Sequence, residues 1–330
     1  MINLLYQGDF IMAEVICMGD ILVEIMRPEA GIPLNQEGYF RGPFPSGAPA
    51  IFIDTVAKMG HSAAIIGGVG DDDFGHYTVE RMEADGVDCQ FVHWSKTLST
   101  GCAFVTYFED GSRKFIFHMG NSAAAEVDIP DILKMNDLKY FHIMGTALPD
   151  NPVFAEGIIE LMHTAVKKGA KVSFDPNLRF ELIRSPRVFE MIDEIMENTS
   201  LLLPGREELM TITKEETLEK AIEKAFQNPT LEVLALKNGS KGSVIYFREG
   251  SFVSEIYPVE VQDSTGAGDC YAAGFVAGLL EERSLEECAK MAAACGALNC
   301  AAFGPMEGKI SPDTVWNMIH KNENSYAKVI

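Results

Sequence analysis

The chain lacks the two glycine-rich signatures that most directly announce a bound nucleotide. No segment of its 330 residues reads G-x-x-x-x-G-K-[ST], so a P-loop is excluded. The G-x-G-x-x-G spacing is also missing, which leaves an NAD-dependent dehydrogenase without its fingerprint. Basic residues are scarce: 27 Lys and Arg stand against 48 Asp and Glu, a formal charge of −21. Nucleic acid and anionic membranes both call for clustered cations, so this balance argues against either as a partner. The seven cysteines are scattered, form no C-x-x-C pair and have no zinc-like spacing with histidine, which fits reduced, buried thiols. No run of eighteen apolar residues is there to span a membrane, and Met1–Ile11 has neither the basic start nor the cleavage site of a secretory signal. A cytoplasmic location is the expectation.

What the chain does have is apolar content, 47% of its residues, enough for a large core. Strand-length apolar runs alternate with amphipathic helix-length stretches, the pattern of an α/β fold whose parallel sheet is wrapped by helices. Strands are expected at Val15–Met18, Ala63–Ile66, Tyr140–Ile143, Lys171–Phe174, Ser200–Leu203 and Val233–Leu236. Helices are expected at Ala50–Met59, Phe74–Ala84, Pro152–Lys168, Pro186–Glu197, Lys214–Phe226, Ala267–Leu280, Leu285–Ala301 and Pro312–His320. Residues 1–12 read as a tail and 13–330 as one domain. Two segments, about 22–45 and 98–120, break the βα rhythm and suit a small β-sheet lid that excludes water. An ordinary edge hairpin fits that pattern as well.

The densest chemistry lies in Asp263-Ser264-Thr265-Gly266-Ala267-Gly268-Asp269. Gly266, Ala267 and Gly268 lead into a helix N-terminus, where unpaired N–H groups and the helix dipole favour an anion. Asp269, at the rim of that cradle, is repelled by a phosphate unless it has a task there. The task assigned to it is general base, taking the proton from a hydroxyl that attacks a γ-phosphoryl group. A simple helix cap with a favourable first-turn acid is the structural alternative.

DSTGAGD followed by AAGF closely resembles the C-terminal signature of the ribokinase-like, or PfkB, family of carbohydrate kinases. Further segments line up in the family's order from about Val15 to about Pro312. The resemblance implies a three-layer α/β/α ribokinase-like fold with a mostly parallel central sheet, and ATP and Mg²⁺ as cofactors. Asp20, which closes Cys17-Met18-Gly19-Asp20, and the nearby Glu24 stand where relatives grip the sugar; each also reads as a solvated turn acid. Ser46-Gly47-Ala48-Pro49-Ala50 resembles GGAPAN, implying that Gly47 and Ala48 present backbone to the sugar, while Ile51 replaces the usual Asn. Gly67–Gly75 resembles GxVGxDxFG, its acids read as helix caps.

Phe115–Ala123 is similar to the lid segment FxFYRxxSA of fructokinases and 2-keto-3-deoxygluconate kinases. Met119 stands where those often carry an arginine, so a carboxylate would find no bidentate fork and a neutral sugar is favoured. His118 reads as a donor to a sugar hydroxyl or as a packed structural residue. Asp175-Pro176-Asn177-Leu178-Arg179 matches DPNxR, implying Arg179 on ligand oxygens and Asn177 on the phosphate side, with a structural Asp175–Arg179 pair as the alternative. Glu208 falls on the Glu of the family's NxxE, which acts on Mg²⁺ through water; Gly205 replaces its Asn. Lys237, Gly239 and Gly242 fall on the segment passing ribose and phosphates, a place that also suits a hairpin turn. Asn299 and Gly304 fall where the adenine pocket closes, and Asp263 and Thr265 where relatives bind a monovalent cation such as K⁺.

The expected activity is an ATP-dependent sugar kinase acting on a neutral monosaccharide, a ketohexose such as fructose or tagatose. Alternatives are a 2-keto-3-deoxygluconate kinase and a catalytically silent sugar- or nucleotide-binding protein. Apolar positions in Phe104–Phe117 fit a homodimer formed through the lid, or a lid packed on its own domain.

Overall fold

A strand buried on both faces sends alternate side chains into two different cores, and Val15–Met18 does so. Val15 and Cys17 join one hydrophobic cluster, Ile16 and Met18 the other. That duality is why such a strand reads as a continuous apolar run rather than an alternation. The computed structural model describes residues 11–109, 112–132, 135–148, 152–178, 183 and 186–326.

In chain order the first half contains β1 (Ile11–Met12), β2 (Val15–Met18), β3 (Leu22–Met26), β4 (Arg41–Ser46), α1 (Ala48–Lys58), β5 (Ala63–Gly70), α2 (Asp73–Ala84), β6 (Val87–Ser95), β7 (Gly101–Tyr107) and β8 (Arg113–His118). Then follow β9 (Met135–Asn136), β10 (Tyr140–Met144), α3 (Pro152–Lys167), β11 (Lys171–Asp175), α4 (Arg187–Asn198), β12 (Thr199–Leu202), α5 (Arg206–Thr213) and α6 (Leu218–Ala225). The last third holds β13 (Val233–Lys237), β14 (Ser243–Phe247), β15 (Gly250–Ser254), α7 (Ala267–Leu280), α8 (Leu285–Cys300) and α9 (Pro312–Tyr326).

The main sheet has nine strands in the order β15-β14-β13-β12-β11-β10-β2-β5-β6, parallel except for β14 and β15 at one edge. Residues of α1, α2, α7, α8 and α9 pack on one face and residues of α3 to α6 on the other, which makes the three layers α/β/α. The chain from 22 to 45 and from 98 to 120 supplies a separate four-stranded sheet, β4-β3-β7-β8, in place of a simple edge hairpin. β1 pairs with β9 in a two-stranded ladder of its own.

One expected helix is corrected. Of Lys214–Phe226 only Leu218–Ala225 is helical, as α6, which Thr217 caps through Lys220 N–H; a further helix, α5, starts earlier, at Arg206, and stops at Lys214, whose φ of 59° is left-handed. The early start has a local cause. The Glu208 carboxylate reaches back to accept the Gly205 N–H at 2.6 Å, the carboxylate half of a capping box.

Candidate active site

The cradle forms where α7 begins. Gly266 precedes it at φ 79°, a left-handed conformation that L side chains rarely adopt, and a Cβ there would come within 2.7 Å of the Pro305 carbonyl oxygen. Asp269, in the first helical turn, is buried at 7% exposure. The Asn177 side-chain amide donates to its Oδ1 at 3.3 Å.

Two cavities meet at this helix start. The first, of about 210 Å³, is lined by Asp20, Glu24, Ser46, Thr146, Asn177 and Asp269, with Leu22, Ile51, Phe115, Phe117 and Met119 as its apolar walls. Gly47 and Ala48 border it as well; Gly47 takes φ 109° with Asp20 O packed where a Cβ would stand, so the chain there admits nothing larger. Glu24 accepts a hydrogen bond from the Ser46 hydroxyl at 2.7 Å, and the buried Thr146 hydroxyl has no partner among the described residues. The second cavity, of about 540 Å³, is walled mainly by apolar groups, among them Ile256, Pro258, Val259, Val261 and Ala297, and bordered by Gly239, Gly242, Ala267 and Tyr271. Arg113, Lys237, Ser264 and Gly268 line both.

Lys237 closes β13 and its Nζ lies 2.5 Å from Asp175 Oδ2. Burial opposes the ammonium charge, but Asp175, Glu208 and Asp269 outweigh it and raise the pKa above the usual lysine value, so Lys237 stays a cation. Beneath Asp269, burial first and then the carboxylates of Asp269 and Asp20 push the Cys17 thiol well up, which keeps it neutral. On the loop before the cradle, Asp263 Oδ1 accepts from Tyr107 Oη at 2.8 Å and Thr265 N–H at 2.9 Å, while its Oδ2 accepts the Gly304 N–H at 3.1 Å. Asn299, fully buried, donates through Nδ2 to the Thr265 carbonyl at 2.7 Å.

Several expected site residues are thus brought together: Asp20, Glu24, Gly47, Ala48, Gly266 and Asp269 around the first cavity, Ala267, Gly239 and Gly242 around the second, with Gly268 and Lys237 between them. Others stand elsewhere. His118 is corrected: β8 alternates, with Arg113, Phe115 and Phe117 half-buried and Lys114, Ile116 and His118 exposed, so its ring meets Phe104 on the outer face. Asn177 lines the first cavity, beside Asp269, and not the second. Asn299 and Gly304 brace the loop of Asp263 and Thr265 instead of bordering the apolar cavity. Glu208 spends one oxygen on Gly205 N–H and the other on Leu178 N–H at 2.9 Å, holding the loop of Asn177, and borders neither cavity. Arg179 lies outside the described residues.

Sequence reasoning missed Arg113, Thr146 and Ser46. Thr146 had a signal, because it follows directly on β10 at the carboxyl edge of a parallel sheet, where ligands collect. Among the described residues no group of three or more His, Cys, Asp or Glu side chains is placed to hold a metal ion, and no helix is long and apolar enough to cross a membrane.

Comparison with known proteins places the chain in a family. A family model described as pfkB family carbohydrate kinase matches residues 12–312. Fructokinase-1 of Oryza sativa subsp. japonica is 30% identical over 303 residues, 88% of this chain and 92% of that protein. "Probable fructokinase-3" of Arabidopsis thaliana is 29% identical over 302 residues, 88% of this chain and 86% of that protein. A solved E. coli protein provisionally named Ribokinase II, in complex with ATP and Mg²⁺, superposes with a TM-score of 0.85 at 36% identity, covering 94% of this chain and 99% of that one. A fructokinase of Vibrio cholerae O395 in a fructose-, ADP- and potassium-bound form shares the fold, with a TM-score of 0.80 at 23% identity over 94% and 99% of the two chains.

Proposed function

The chain belongs to the pfkB family of carbohydrate kinases, and from that premise we propose that it moves the γ-phosphoryl group of ATP onto a hydroxyl of a neutral monosaccharide, with fructose the first candidate. One observation carries the reading. Asp269 stands in the small polar cavity while Gly268, one residue earlier, lines both it and the large apolar one. A sugar in the first and an adenosine in the second would meet at the start of α7.

In the transfer, the sugar oxygen forms its bond to the γ-phosphorus as the bond to the β–γ bridging oxygen breaks. ADP leaves with that electron pair, and Asp269 takes the hydroxyl proton. Asn177 orients the carboxylate through Oδ1. Asp20, Glu24, Ser46 and Thr146 supply polar partners for the remaining hydroxyls, and Phe115 and Phe117 give apolar walls. First-turn N–H groups of α7 and the Lys237 ammonium stabilise charge spread over the moving phosphoryl group. The small-residue cradle fits a nucleotide: a Cβ on Gly268 would point to within 3.7 Å of Lys237 Nζ, into the space between the cavities. Mg²⁺ supplied with ATP offsets phosphate charge, and Glu208, with both oxygens engaged, fits an outer role through water rather than direct ligation. Asp263 and Thr265, the expected K⁺ ligands, already serve Tyr107, Gly304 and Arg113, so a cation there would have to share them and is given no step here.

Neutral sugars are favoured over keto-deoxy acids because Met119 lines the cavity at the position where the lid segment of relatives often carries an arginine, while the Arg113 of this cavity is turned to Thr265 at the seam. Exposed Tyr39, Phe108 and Ile116 on the lid support pairing of two lids in a homodimer. The test is a coupled ADP-release screen of ketoses, aldoses, keto-deoxy acids and nucleosides, with Asp269→Asn alongside. That variant is expected to keep sugar and ATP binding and lose turnover by about 10²–10⁴-fold, the usual worth of a positioned base. Near-normal turnover would overturn the assignment.

A further inference from the structure

Of the four residues that line both cavities, two are cations, and they arrive from opposite directions: Lys237 from β13 of the main sheet and Arg113 from β8 of the lid. Among the described residues lining either cavity these are the Lys and Arg side chains present; the nearby charges are otherwise carboxylates, Asp20, Glu24 and Asp269. A triphosphate entering so acidic a protein needs compensation where its charge moves.

Arg113 is held at that seam by geometry. Its Nη1 donates to Thr265 Oγ1 at 3.0 Å, one residue before the cradle. Its ladder partner Tyr107, directly across the β7–β8 hairpin, donates to Asp263 Oδ1 at 2.8 Å. The Tyr107 phenol already fastens the lid to this loop without any charge. A guanidinium adds a planar fork of donors matched to phosphate oxygens, more than one threonine hydroxyl can use.

We propose that Arg113 is a catalytic residue carried by the lid, donating to the oxygens of the transferring phosphoryl group from the side opposite Lys237. Closing the lid then shuts out water and delivers the second positive charge in one motion. Arg113 only donates hydrogen bonds; bonds are made and broken as described above, with the proton going to Asp269. The proposal rests on the phosphotransferase reading and gives that site its conformational control.

The experiment compares Arg113→Ala, Arg113→Lys, Tyr107→Phe and Asp269→Asn with the unaltered enzyme, using ATP, Mg²⁺ and the best sugar from the screen, after thermal melts establish that each variant is folded. Arg113→Ala is expected to lose about 10²–10³-fold in kcat, as when one oxyanion donor is removed, with sugar KM moving less than about 3-fold. Added guanidinium ion should restore about 10-fold, whereas methylammonium at equal concentration should not, and Arg113→Lys should recover only part of the loss because it lacks the fork. Tyr107→Phe, which loosens the lid without removing charge, should stay within about 10-fold of normal turnover. Retention of kcat by Arg113→Ala overturns the proposal. So does an equal loss in Arg113→Ala and Tyr107→Phe with raised sugar KM and no guanidinium rescue, since that is a fastening role. If Asp269→Asn is inactive while Arg113→Ala is not, the arginine proposal falls and the kinase reading stands; an unaltered enzyme that phosphorylates no sugar removes both.

Discussion

The two cavities that meet at Gly268 are built on opposite principles. The smaller is lined by carboxylates, hydroxyls and an amide brought together from the main sheet, α7 and the lid, so its character depends on several separated stretches of chain. The larger is an apolar slot formed mostly after Lys237, from β14, the chain beyond β15, α7 and α8, with small residues such as Ala293, Gly296 and Ala297 making room. Polar groups that must be met one by one give discrimination, because an unpaired buried donor or acceptor is costly. An apolar slot gives affinity with little selectivity among similar shapes. On the proposed function, the difference assigns the choice of acceptor to one side and the grip on a common donor to the other.

Substitutions on each side should break this division in distinct ways. Beyond Asp269→Asn, the largest effect is expected from Gly268→Val, which fills the seam itself. A Cβ there meets only ordinary contact at 3.7 Å from Lys237 Nζ, so the fold should persist in a thermal melt while turnover with every sugar falls by about 10²–10³-fold. Next comes the acceptor side: Met119→Arg should raise the KM for a neutral ketose by roughly 10-fold and bring measurable phosphorylation of 2-keto-3-deoxy acids, a shift within the range of one pocket contact. An unchanged sugar profile would show that the lid underside does not choose the acceptor. On the nucleotide side, Ala297→Leu should raise the KM for ATP by about 10-fold through overpacking and leave the sugar KM alone. If both constants rise together, the cavities are not independent.

The smallest effect concerns stability rather than rate. Asp54 in α1 is paired with Lys58 at 2.6 Å, yet burial raises its pKa to about 7, with Asp85 adding to the rise and Lys58 opposing it. Lys58 and Arg81 both donate to the Met306 carbonyl, tying this network to the loop that braces Asp263. A carboxyl whose folded pKa is raised stabilises the fold fully below its unfolded value near 4, and that contribution is lost as pH climbs through about 7. Melting temperature should therefore fall between about pH 4 and pH 7, and Asp54→Asn should flatten that slope. A slope that persists in the variant would place the titrating group elsewhere.

Much of this molecule could be read before it was seen, and the exceptions have physical causes. Val15–Met18 and Ala267–Leu280 appear with the boundaries expected, because a doubly buried strand and a glycine-started helix declare themselves locally. The late start of α6 was hidden, since Lys214-Glu215-Glu216 are good helix formers yet stand before the Thr217 cap, with Lys214 itself left-handed at the end of α5. In the site, Asp269 and its cradle were legible from small residues before an acid. Along β8 the two-residue period puts Arg113 on the side of Phe115 and Phe117 and His118 on the other, which shows only once the inward side of the strand is known. Asn299 was placed by its neighbours in sequence, whereas its amide turns to the Thr265 carbonyl behind the cradle.

The thin partition of Ser264, Gly268, Lys237 and Arg113 has a practical corollary. Among the described residues, what borders both compartments is one small polar side chain, a glycine and two cations, so a bisubstrate molecule joining a ketose to an adenosine oligophosphate would lie across both. Its affinity would draw on each half at once, and lengthening the linker phosphate by phosphate would measure the gap that the natural reaction has to cross.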